Sequence, residues 1–443
     1  MKIAILALLA LPLTAQGPLS LREAARLALE KHPSVEAAAA QLKAVETRLQ
    51  QARSGYLPKL SYSESWQRSD NPVFVFSSLL TQHQFSEQNF AIGPLNRPDA
   101  LNNFQSQLVL DQTVWDAGMT KKQVQAAGLG QQLAGEDQRR TRMAVIAGIV
   151  RAYNGIILSR ESLKVAQEAV ASAQADLQRA ENVRAAGMTT DADVLAIRVH
   201  MAAMREQEIR RSYDVEIAQA ALNEALGLPL DTPHDLTTAL APLPAVETPL
   251  ARQEEGARES RPEARQVRLG VSLAQNQSEM ARTSFLPQVS FRVAFEADRQ
   301  RFINRGGANW FAGASLRWNL FNGFADKARF AEANQQVMRA RAQERQVGAA
   351  LSLEVRRAYL DLKATEERIQ VTEAAVFSAE ENLRIVKNRY ESGLTNVTEL
   401  LRSETAVAEA KLRWLAAVHD QRLAAAGLEL AAGTLSAESS VLN

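Results

Sequence analysis

The sequence predicts a mainly α-helical protein with membrane β-strands, built from two copies of one helix–strand–strand–helix–helix unit. Three observations predict this. An apolar residue recurs at every seventh position over residues 149–177 and again over residues 355–390. Apolar and polar residues alternate in two short stretches of each half. Landmark residues of the first half recur in the second half at fixed offsets.

The seven-residue repeat is typical of long α-helices that wind left-handed around a neighbour. It comprises Ile149, Ile156, Leu163, Val170 and Leu177 in the first half, and Val355, Leu362, Ile369, Val376, Leu383 and Tyr390 in the second. A second series, three residues further along, is mostly small, as at Ala166, Ala173 and Ala180. Small residues there allow neighbouring backbones to approach closely.

Composition excludes several classes of function. The chain has 443 residues, of which 46% are apolar and 6% aromatic, and its net charge is +1. A nearly neutral chain gives no general electrostatic reason to bind nucleic acid. Because the chain has no Cys, disulfides, thiolate metal sites and Cys nucleophiles are excluded. The five His residues show no metal-ligand spacing. Ser, His and Asp lack the context of a nucleophile elbow, and Gly128-Leu-Gly130 is not a phosphate loop, since no Lys follows it. We therefore expect no metal, no cofactor and no enzymatic activity.

Residues 1–15 have the pattern of a secretory signal peptide. Lys2 provides the positive end, residues 3–13 the apolar segment and residues 13–15 a small-residue cleavage site. The alternative is a buried N-terminal helix. Beyond this segment we find no stretch of about 18 apolar residues and therefore expect no membrane-spanning helix.

The first repeat is expected over residues 16–228. Ser20 and Glu23 form a capping box at its first helix, and Pro33 begins the second. The predicted elements are helices at 20–31 and 33–54, strands at about 58–67 and 104–115, a long helix at about 118–186 and a return helix at 191–227. Between the two strands we expect a loop with an apolar patch, Val73–Leu80.

The second repeat is expected over residues 251–433, after a Pro-containing linker at 229–250 and before a C-terminal tail at 434–443. Its predicted elements are a helix opened by Pro262, strands at about 287–298 and 309–321, a long helix at about 324–391 and a last helix that ends near Gly433.

Two offsets relate the halves. Pro33 and Pro262 lie 229 residues apart, whereas Gly187 and Gly393 lie 206 residues apart. The difference places about 23 additional residues between the two strands of the first half. A chance similarity would not keep one register shift at one loop, so we infer an internal duplication.

Each predicted strand is about ten residues long with one apolar face, which suits a tilted strand in an outer membrane. The opposite faces include residues suited to a water-filled lumen, Asp111, Arg292, Glu296 and Arg317. A membrane sheet must close, and four strands cannot close a barrel. Three chains would supply 12 strands and, with four helix widths each, a 12-helix tube. The alternative is a β-sandwich face on a soluble core, with these charges in ordinary surface pairs.

Several motifs occur in the same order in both halves. They are Leu57-Pro58 and Leu286-Pro287 before the strands, Trp115-Asp116-Ala117-Gly118 and Phe321-Asn322-Gly323 before the long helices, and Tyr390-Glu-Ser-Gly393 at the end of the second. With these motifs and this duplicated plan, the chain resembles the TolC-like outer-membrane efflux protein family over nearly all of its mature length.

The resemblance implies a homotrimer that inserts a 12-stranded β-barrel in outer-membrane lipid and continues it as an α-helical tunnel across the periplasm. It implies docking to a periplasmic adaptor protein and to an inner-membrane pump of RND or ABC type, in efflux or type I secretion. The alternatives are a periplasmic adaptor, with one hairpin between β-rich domains, and a coiled-coil scaffold without strands or signal.

In the family, the turns between long and return helices form the periplasmic mouth. Here these turns predict adaptor contacts at Gly187, Met188, Thr189, Gly393, Leu394 and Thr395, and a gate formed by Asp191, Asp193, Tyr390 and Glu399. Asp193 and Tyr390 match positions that link helices in the closed mouth. Thr395 stands where TolC has a basic partner, so a hydrogen bond is the alternative to a charged lock. The acids also fit ordinary helix-dipole stabilisation.

Overall fold

A computed structural model describes residues 18–303 and 306–443. The expected signal peptide, residues 1–15, lies outside this range. The helices are α1 Leu21–Lys31, α2 Pro33–Arg53, α3 Pro72–Thr81, α4 Ile92–Asn96, α5 Met119–Ala185, α6 Asp191–Leu226, α7 Leu250–Ser260, α8 Pro262–Thr283, α9 Ala325–Glu391 and α10 Val397–Ala432. The strands are β1 Lys59–Ser69, β2 Leu101–Trp115, β3 Gln288–Arg299 and β4 Gly307–Arg317.

The described residues form two compact units. The helical unit comprises residues 18–41, Gly135–Val267 and Glu344–Asn443. The sheet unit comprises Leu42–Ala134 and Arg268–Gln343.

Corresponding helices of the two halves have equal lengths. Helices α5 and α9 each have 67 residues, and α6 and α10 each have 36. Both return helices end at a Gly in the left-handed conformation, Gly227 (φ 71°) and Gly433 (φ 76°). Gly adopts this conformation without a Cβ penalty, and its amide donates to the last carbonyls of the helix. The offset of 206 residues that the sequence shows therefore also relates the helix ends.

The core of the helical unit confirms part of the seven-residue repeat. Ile149 and Ile156 are fully buried where α5 packs on α1 and α6, and Val355 and Leu362 are buried where α9 packs near α7 and α10. Towards the C-terminal ends of α5 and α9 the residues of the seven-residue repeat are only half-buried. In α5 the small residue Ala173 is buried there instead.

One polar side chain is fixed within this core. Tyr153 is fully buried, and its hydroxyl donates to the Leu19 carbonyl (2.7 Å) and accepts from the Thr238 amide (3.1 Å). Burying a hydroxyl is favourable only when it finds such partners. These two hydrogen bonds connect α5 to the segment that precedes α1 and to the segment that follows α6.

The sheet is antiparallel in the order β1-β2-β3-β4. One row across it joins Tyr62, Leu108, Phe295 and Trp310, all apolar and exposed. Since side chains alternate between faces, this row and the neighbouring row of Leu60, Leu110, Val293 and Ala312 form one apolar face, with polar residues opposite. The Glu64–Arg299 ion pair lies on the apolar face beyond the first row. Strands β1 and β4 are the two edge strands of the sheet.

Strand β4 is shorter than expected. It ends at Arg317, not near Phe321, because its partner strand β3 begins at Gln288, directly after Pro287. Proline has no N–H to extend the ladder. The chain then turns through Gly323 and Phe324, both with positive φ, matching Ala117 and Gly118 before α5.

The segment expected to be a loop between β1 and β2 contains helix α3. Asn71 caps it by accepting from the Val73 and Phe74 amides, and Pro72 occupies its first position. At its end, buried Gln82 donates to the Asn102 carbonyl (3.0 Å) and to the Asn103 side chain (2.8 Å). The expectation of a loop was wrong because these caps and this distant anchor stabilise a helix.

The expectation of no stretch of about 18 apolar residues concerned unbroken runs, and a test of mean hydropathy is less demanding. Within the described residues, α5 includes one 18-residue window apolar enough to cross a membrane, but 44% of that window is buried. A core helix passes the same test, and at 67 residues α5 is about three times the length that a bilayer requires.

Candidate functional site

The turns that end α5 and α9 have the same backbone geometry. Gly187 (φ 73°) and Gly393 (φ 72°) adopt the left-handed conformation. The amide of the next residue bonds back to the preceding turn, from Met188 to Val183 (3.1 Å) and from Leu394 to Arg389 (2.8 Å). This is the Schellman arrangement. We refer to residues 183–195 and 390–401 as the two hairpin tips.

Both tips present an apolar side chain to solvent. Met188 is 74% exposed and Leu394 is 69% exposed. A lone exposed apolar residue needs no explanation, but here the same turn position exposes one in both copies. The pair is thus a candidate contact for a partner, as the sequence predicts.

The acid Asp193 belongs to a capping box. Its carboxylate accepts from the Thr190 hydroxyl (2.7 Å), the Thr189 hydroxyl (3.0 Å) and the Thr190 amide (3.3 Å), while Thr190 caps the Asp193 amide. The hydrogen bond from the Thr190 hydroxyl has the largest effect and lowers the pKa of Asp193. Burial opposes it, and the bonds from the Thr189 hydroxyl and the Thr190 amide lower the pKa further. The carboxylate therefore stays ionised and stabilises the start of α6.

The other two predicted gate acids make local ion pairs. Asp191 lies 2.5 Å from Arg184, and Glu399 lies 3.1 Å from Arg402. All four side chains are about half exposed or more, so each pair contributes little to stability. Neither acid lines the cavity at the tips.

Tyr390 is half-buried in an apolar cluster that includes Ala180, Val194 and Val397. Burial raises its pKa, as do the nearby charges of Asp193 and then Asp176. The phenol thus remains protonated and able to donate.

A cavity of about 780 Å³ separates the two tips. Of the predicted residues, those that line it are Met188, Thr189, Asp193, Tyr390, Gly393 and Thr395. The structure therefore brings Asp193 and Tyr390 to one site, together with Thr395, and leaves Asp191 and Glu399 on the flanks.

The sequence analysis missed a buried polar cluster behind the tips. Asp176 of α5 and Glu404 of α10 are buried, with His200 of α6 and Lys387 of α9 beside them. Burial, and then Glu404, raises the pKa of Asp176 to about 6. One signal could have revealed it, since Asp176 lies between Ala173 and Ala180 on the small, inward-facing side of α5.

The four predicted lumen residues share one face of the sheet. Asp111 is paired in register with Arg292, Gln107 with Glu296, and Gln288 with Arg317. Arg292 donates to Asp111 across the strands at 2.6 Å. This polar face lies opposite the apolar row that includes Tyr62 and Trp310, as a barrel wall between water and lipid requires.

Helix α3 lies against the same polar face. Asn103, which accepts from Gln82, donates to Asp298 at 2.6 Å, and Asp298 is on the polar side of β3 with Glu296. Within residues 18–303 and 306–443, no group of three or more His, Cys, Asp or Glu side chains could bind a metal ion.

Comparisons with known proteins agree with this architecture. The family model described as "Outer membrane efflux protein" matches residues 24–228 and 255–434. Protein CyaE of Bordetella pertussis is 27% identical over 421 residues, covering 94% of this chain and 84% of that protein. Alkaline protease secretion protein AprF of Pseudomonas aeruginosa is 24% identical over 431 residues, covering 94% and 85%. The crystal structure of the Campylobacter jejuni CmeC outer membrane channel superimposes with a TM-score of 0.78 at 17% identity, covering 95% of this chain and 87% of that one.

Proposed function

The chain belongs to the outer membrane efflux protein family, and from this premise we propose how it assembles, conducts and closes. It is an outer-membrane channel-tunnel for efflux or secretion, with its α-helical part in the periplasm, and it is not an enzyme. Like its family, it works with an adaptor and an inner-membrane pump.

We propose that three chains form the channel. The observation that supports this best is the four-stranded sheet, whose apolar face is exposed and whose edges β1 and β4 have no neighbour within the described residues. An open sheet edge in lipid leaves backbone groups unpaired. Three copies give 12 strands, enough to close around water. The half-buried repeat residues of α5 and α9 would pack between chains in the same assembly.

We propose that residues 16–228 and 251–433 are the two repeats of this design, joined by the segment 229–250. The equal lengths of α5 and α9 and of α6 and α10 support a duplication. The two segments that the family model matches have similar limits.

Asp111, Arg292, Glu296 and Arg317 would line the barrel lumen. Their position opposite the apolar row supports this assignment. Repeated by symmetry, each becomes a ring of charge, and such rings set the ion selectivity of a pore.

The hairpin tips would form the periplasmic gate and the adaptor contact. The gate centres on Asp193 and Tyr390, which line the cavity between the tips, with Asp191 and Glu399 as flanking acids. Met188 and Leu394, with their turn neighbours Gly187, Thr189, Gly393 and Thr395, would meet the adaptor. The name of the AprF relative favours a secreted protein as cargo, and the pump would be of RND or ABC type.

Fractionation tests the assembly. The protein should sediment with outer membranes, require detergent for extraction and then have about three times the chain mass by light scattering corrected for detergent. A detergent-free monomer in the periplasmic fraction would contradict the proposal and favour an adaptor or a scaffold.

A further inference from the structure

Two acids meet where the two hairpins pack together. Asp176 on α5 lies eleven residues before Gly187, and Glu404 on α10 lies eleven residues after Gly393. The side chain of Asp176 is 1% exposed and that of Glu404 is 8% exposed. Both acids thus lie about 16 Å from the tips, measured along the helix axes. Both side chains are largely shielded from bulk water.

One oxygen of each acid has partners. Glu404 accepts from the Ser172 hydroxyl at 2.7 Å, and Asp176 lies 3.4 Å from Arg179 and 3.7 Å from Lys387. The remaining oxygens, Oδ2 of Asp176 and Oε2 of Glu404, are buried without a hydrogen-bond partner. His200 is 3.5 Å from that Glu404 oxygen, beyond a good hydrogen bond.

A buried carboxylate oxygen without a donor is unfavourable, and two carboxylates that face each other cannot both ionise easily. A single proton removes both problems. Bound to Asp176, it makes the Asp176 carboxyl a donor to Glu404, and the two carboxyl groups lie within reach for this bond. The shared proton therefore adds a strong hydrogen bond between α5 and α10.

Charged groups from all four helices surround the pair. The positive charge of Arg179 is shared with Glu391, 2.9 Å away, so Arg179 only partly offsets the two acids. Lys411 pairs with Glu380 at 3.2 Å and not with the buried acids. The groups that interact with the pair are Arg179 on α5, His200 on α6, and Lys387 and Tyr390 on α9. The groups around them are Glu391, which pairs with Arg179, and Glu168 and Glu380, which both pair with Lys411.

We propose that Asp176 and Glu404 form a proton-operated latch, in which a shared proton keeps the two hairpins together and its loss lets them separate. The latch rests on the proposed function, because it regulates the tips that we assign as the gate. It requires only a proton from solvent and returns the proton when it opens.

The direction of the pH effect follows from the two acids. Burial, and then Glu404, raises the pKa of Asp176 from 3.8 to about 6. Burial also acts to raise the pKa of Glu404, but its interactions with His200, Asp176 and Ser172 outweigh burial and lower that pKa. Asp176 therefore holds the proton. The latch is fully formed below the unfolded value of 3.8 and is lost as the pH rises through about 6.

The first test measures the separation of the hairpins. Because the chain has no Cys, nitroxide labels at Gln174→Cys on α5 and Ala406→Cys on α10, both exposed sites, report this distance by electron–electron resonance. The labelled full-length chain is mixed with unlabelled chain in detergent. Between about pH 5 and pH 8 the short distance should give way to a longer one, with up to about a tenfold change in the ratio of the two populations.

Variants separate the latch from other titrations. Asp176→Asn supplies a permanent donor to Glu404 and should keep the short distance at every pH, and Glu404→Gln should do the same if the first variant misfolds. Glu409→Gln, an exposed acid on the same helix, should titrate like the wild type. The proposal is overturned if the wild-type distance does not change with pH, or if the distance still changes with pH in both latch variants. A response to a chelator in place of pH would also overturn it, since it would indicate a metal ion.

The second test is single-channel conductance in planar bilayers over the same pH range. The wild type should conduct more as the pH rises through about 6, and Asp176→Asn should stay in the low-conductance state. If the hairpin distance responds to pH and the conductance does not, the latch stands and the assignment of the tips as the gate is wrong.

Discussion

Buried polar side chains determine how the helical unit is joined. Asn223 is fully buried at the end of α6 and donates to the Leu230 (2.6 Å) and Thr232 (2.9 Å) carbonyls, while its own oxygen lies 2.7 Å from His234. Burial, and then the charge of Arg160, lowers the pKa of His234, so this ring stays neutral. Single residues of this kind help to fix the course of the chain that follows a helix.

Replacing Tyr153 by Phe tests one such contact. Tyr153→Phe leaves the Thr238 amide and the Leu19 carbonyl without their shared partner, so we expect a loss of about 1–3 kcal/mol in the free energy of unfolding. Chemical denaturation of the detergent-purified protein measures it. Tyr213→Phe, at a side chain that is 60% exposed, serves as control. Equal stability of both variants would show that the buried hydroxyl bonds contribute nothing.

The long helices and the return helices begin and end where the sequence indicates. The ends of α5, α6, α9 and α10 lie within one or two residues of the predicted ones, because glycines, prolines and capping boxes are local signals. The end of β4 and the helix α3 were not predicted. Both depend on residues distant in sequence: the partner of Arg317 at Gln288, and the bonds of Gln82 to β2.

Glycines at helix ends should differ in their tolerance of a side chain. Gly187 and Gly227 have similar positive φ, but only at Gly227 would a Cβ approach other backbone, 2.9 Å from the Lys31 carbonyl. Gly187→Ala should therefore lose about 1–2 kcal/mol for its backbone conformation alone. Gly227→Ala should lose clearly more, as measured by thermal unfolding. Equal losses would mean that the α1–α6 junction relaxes around the methyl group.

Helix α3 should depend on the absence of a side chain at Gly307. A Cβ there would lie 1.9 Å from the Thr81 carbonyl oxygen, so Gly307→Val should displace α3 from the polar face of the sheet. Chymotrypsin should then cleave near Phe74 and Phe76 several times faster than in the wild type, because helix undocking exposes those bonds. Ala312→Val, in the same strand on the opposite face, is the matched control. Unchanged cleavage would show that α3 is held elsewhere.

The whole molecule requires partners that one chain does not supply. Its sheet has an exposed apolar face, its long helices have half-buried repeat residues, and its two tips expose Met188 and Leu394. Each of these surfaces is reasonable for a channel-tunnel of this family and unfavourable for an isolated soluble chain.

Charge placed at the tips tests their role in export. Met188→Glu with Leu394→Glu should reduce secretion of the cargo at least about tenfold, because an apolar contact would receive two desolvated charges. Secretion is measured in cells that have the cognate adaptor and pump. Outer-membrane level and trimer mass should remain unchanged, as should export by Val199→Glu, at another exposed apolar residue on α6. Normal export by the double variant would remove the tips from the adaptor contact.

The sequence by itself determined the order and length of the long helices and the duplication of the plan. Periods of seven and two, and the positions of glycine and proline, are properties of neighbouring residues, and they persist however the chain packs. Only the tertiary structure decided which acids become buried together and which face α3 covers. Asp176 and Glu404 are far apart in the chain, and nothing local to either one specifies that α5 and α10 bring both carboxyl groups to one place out of reach of water.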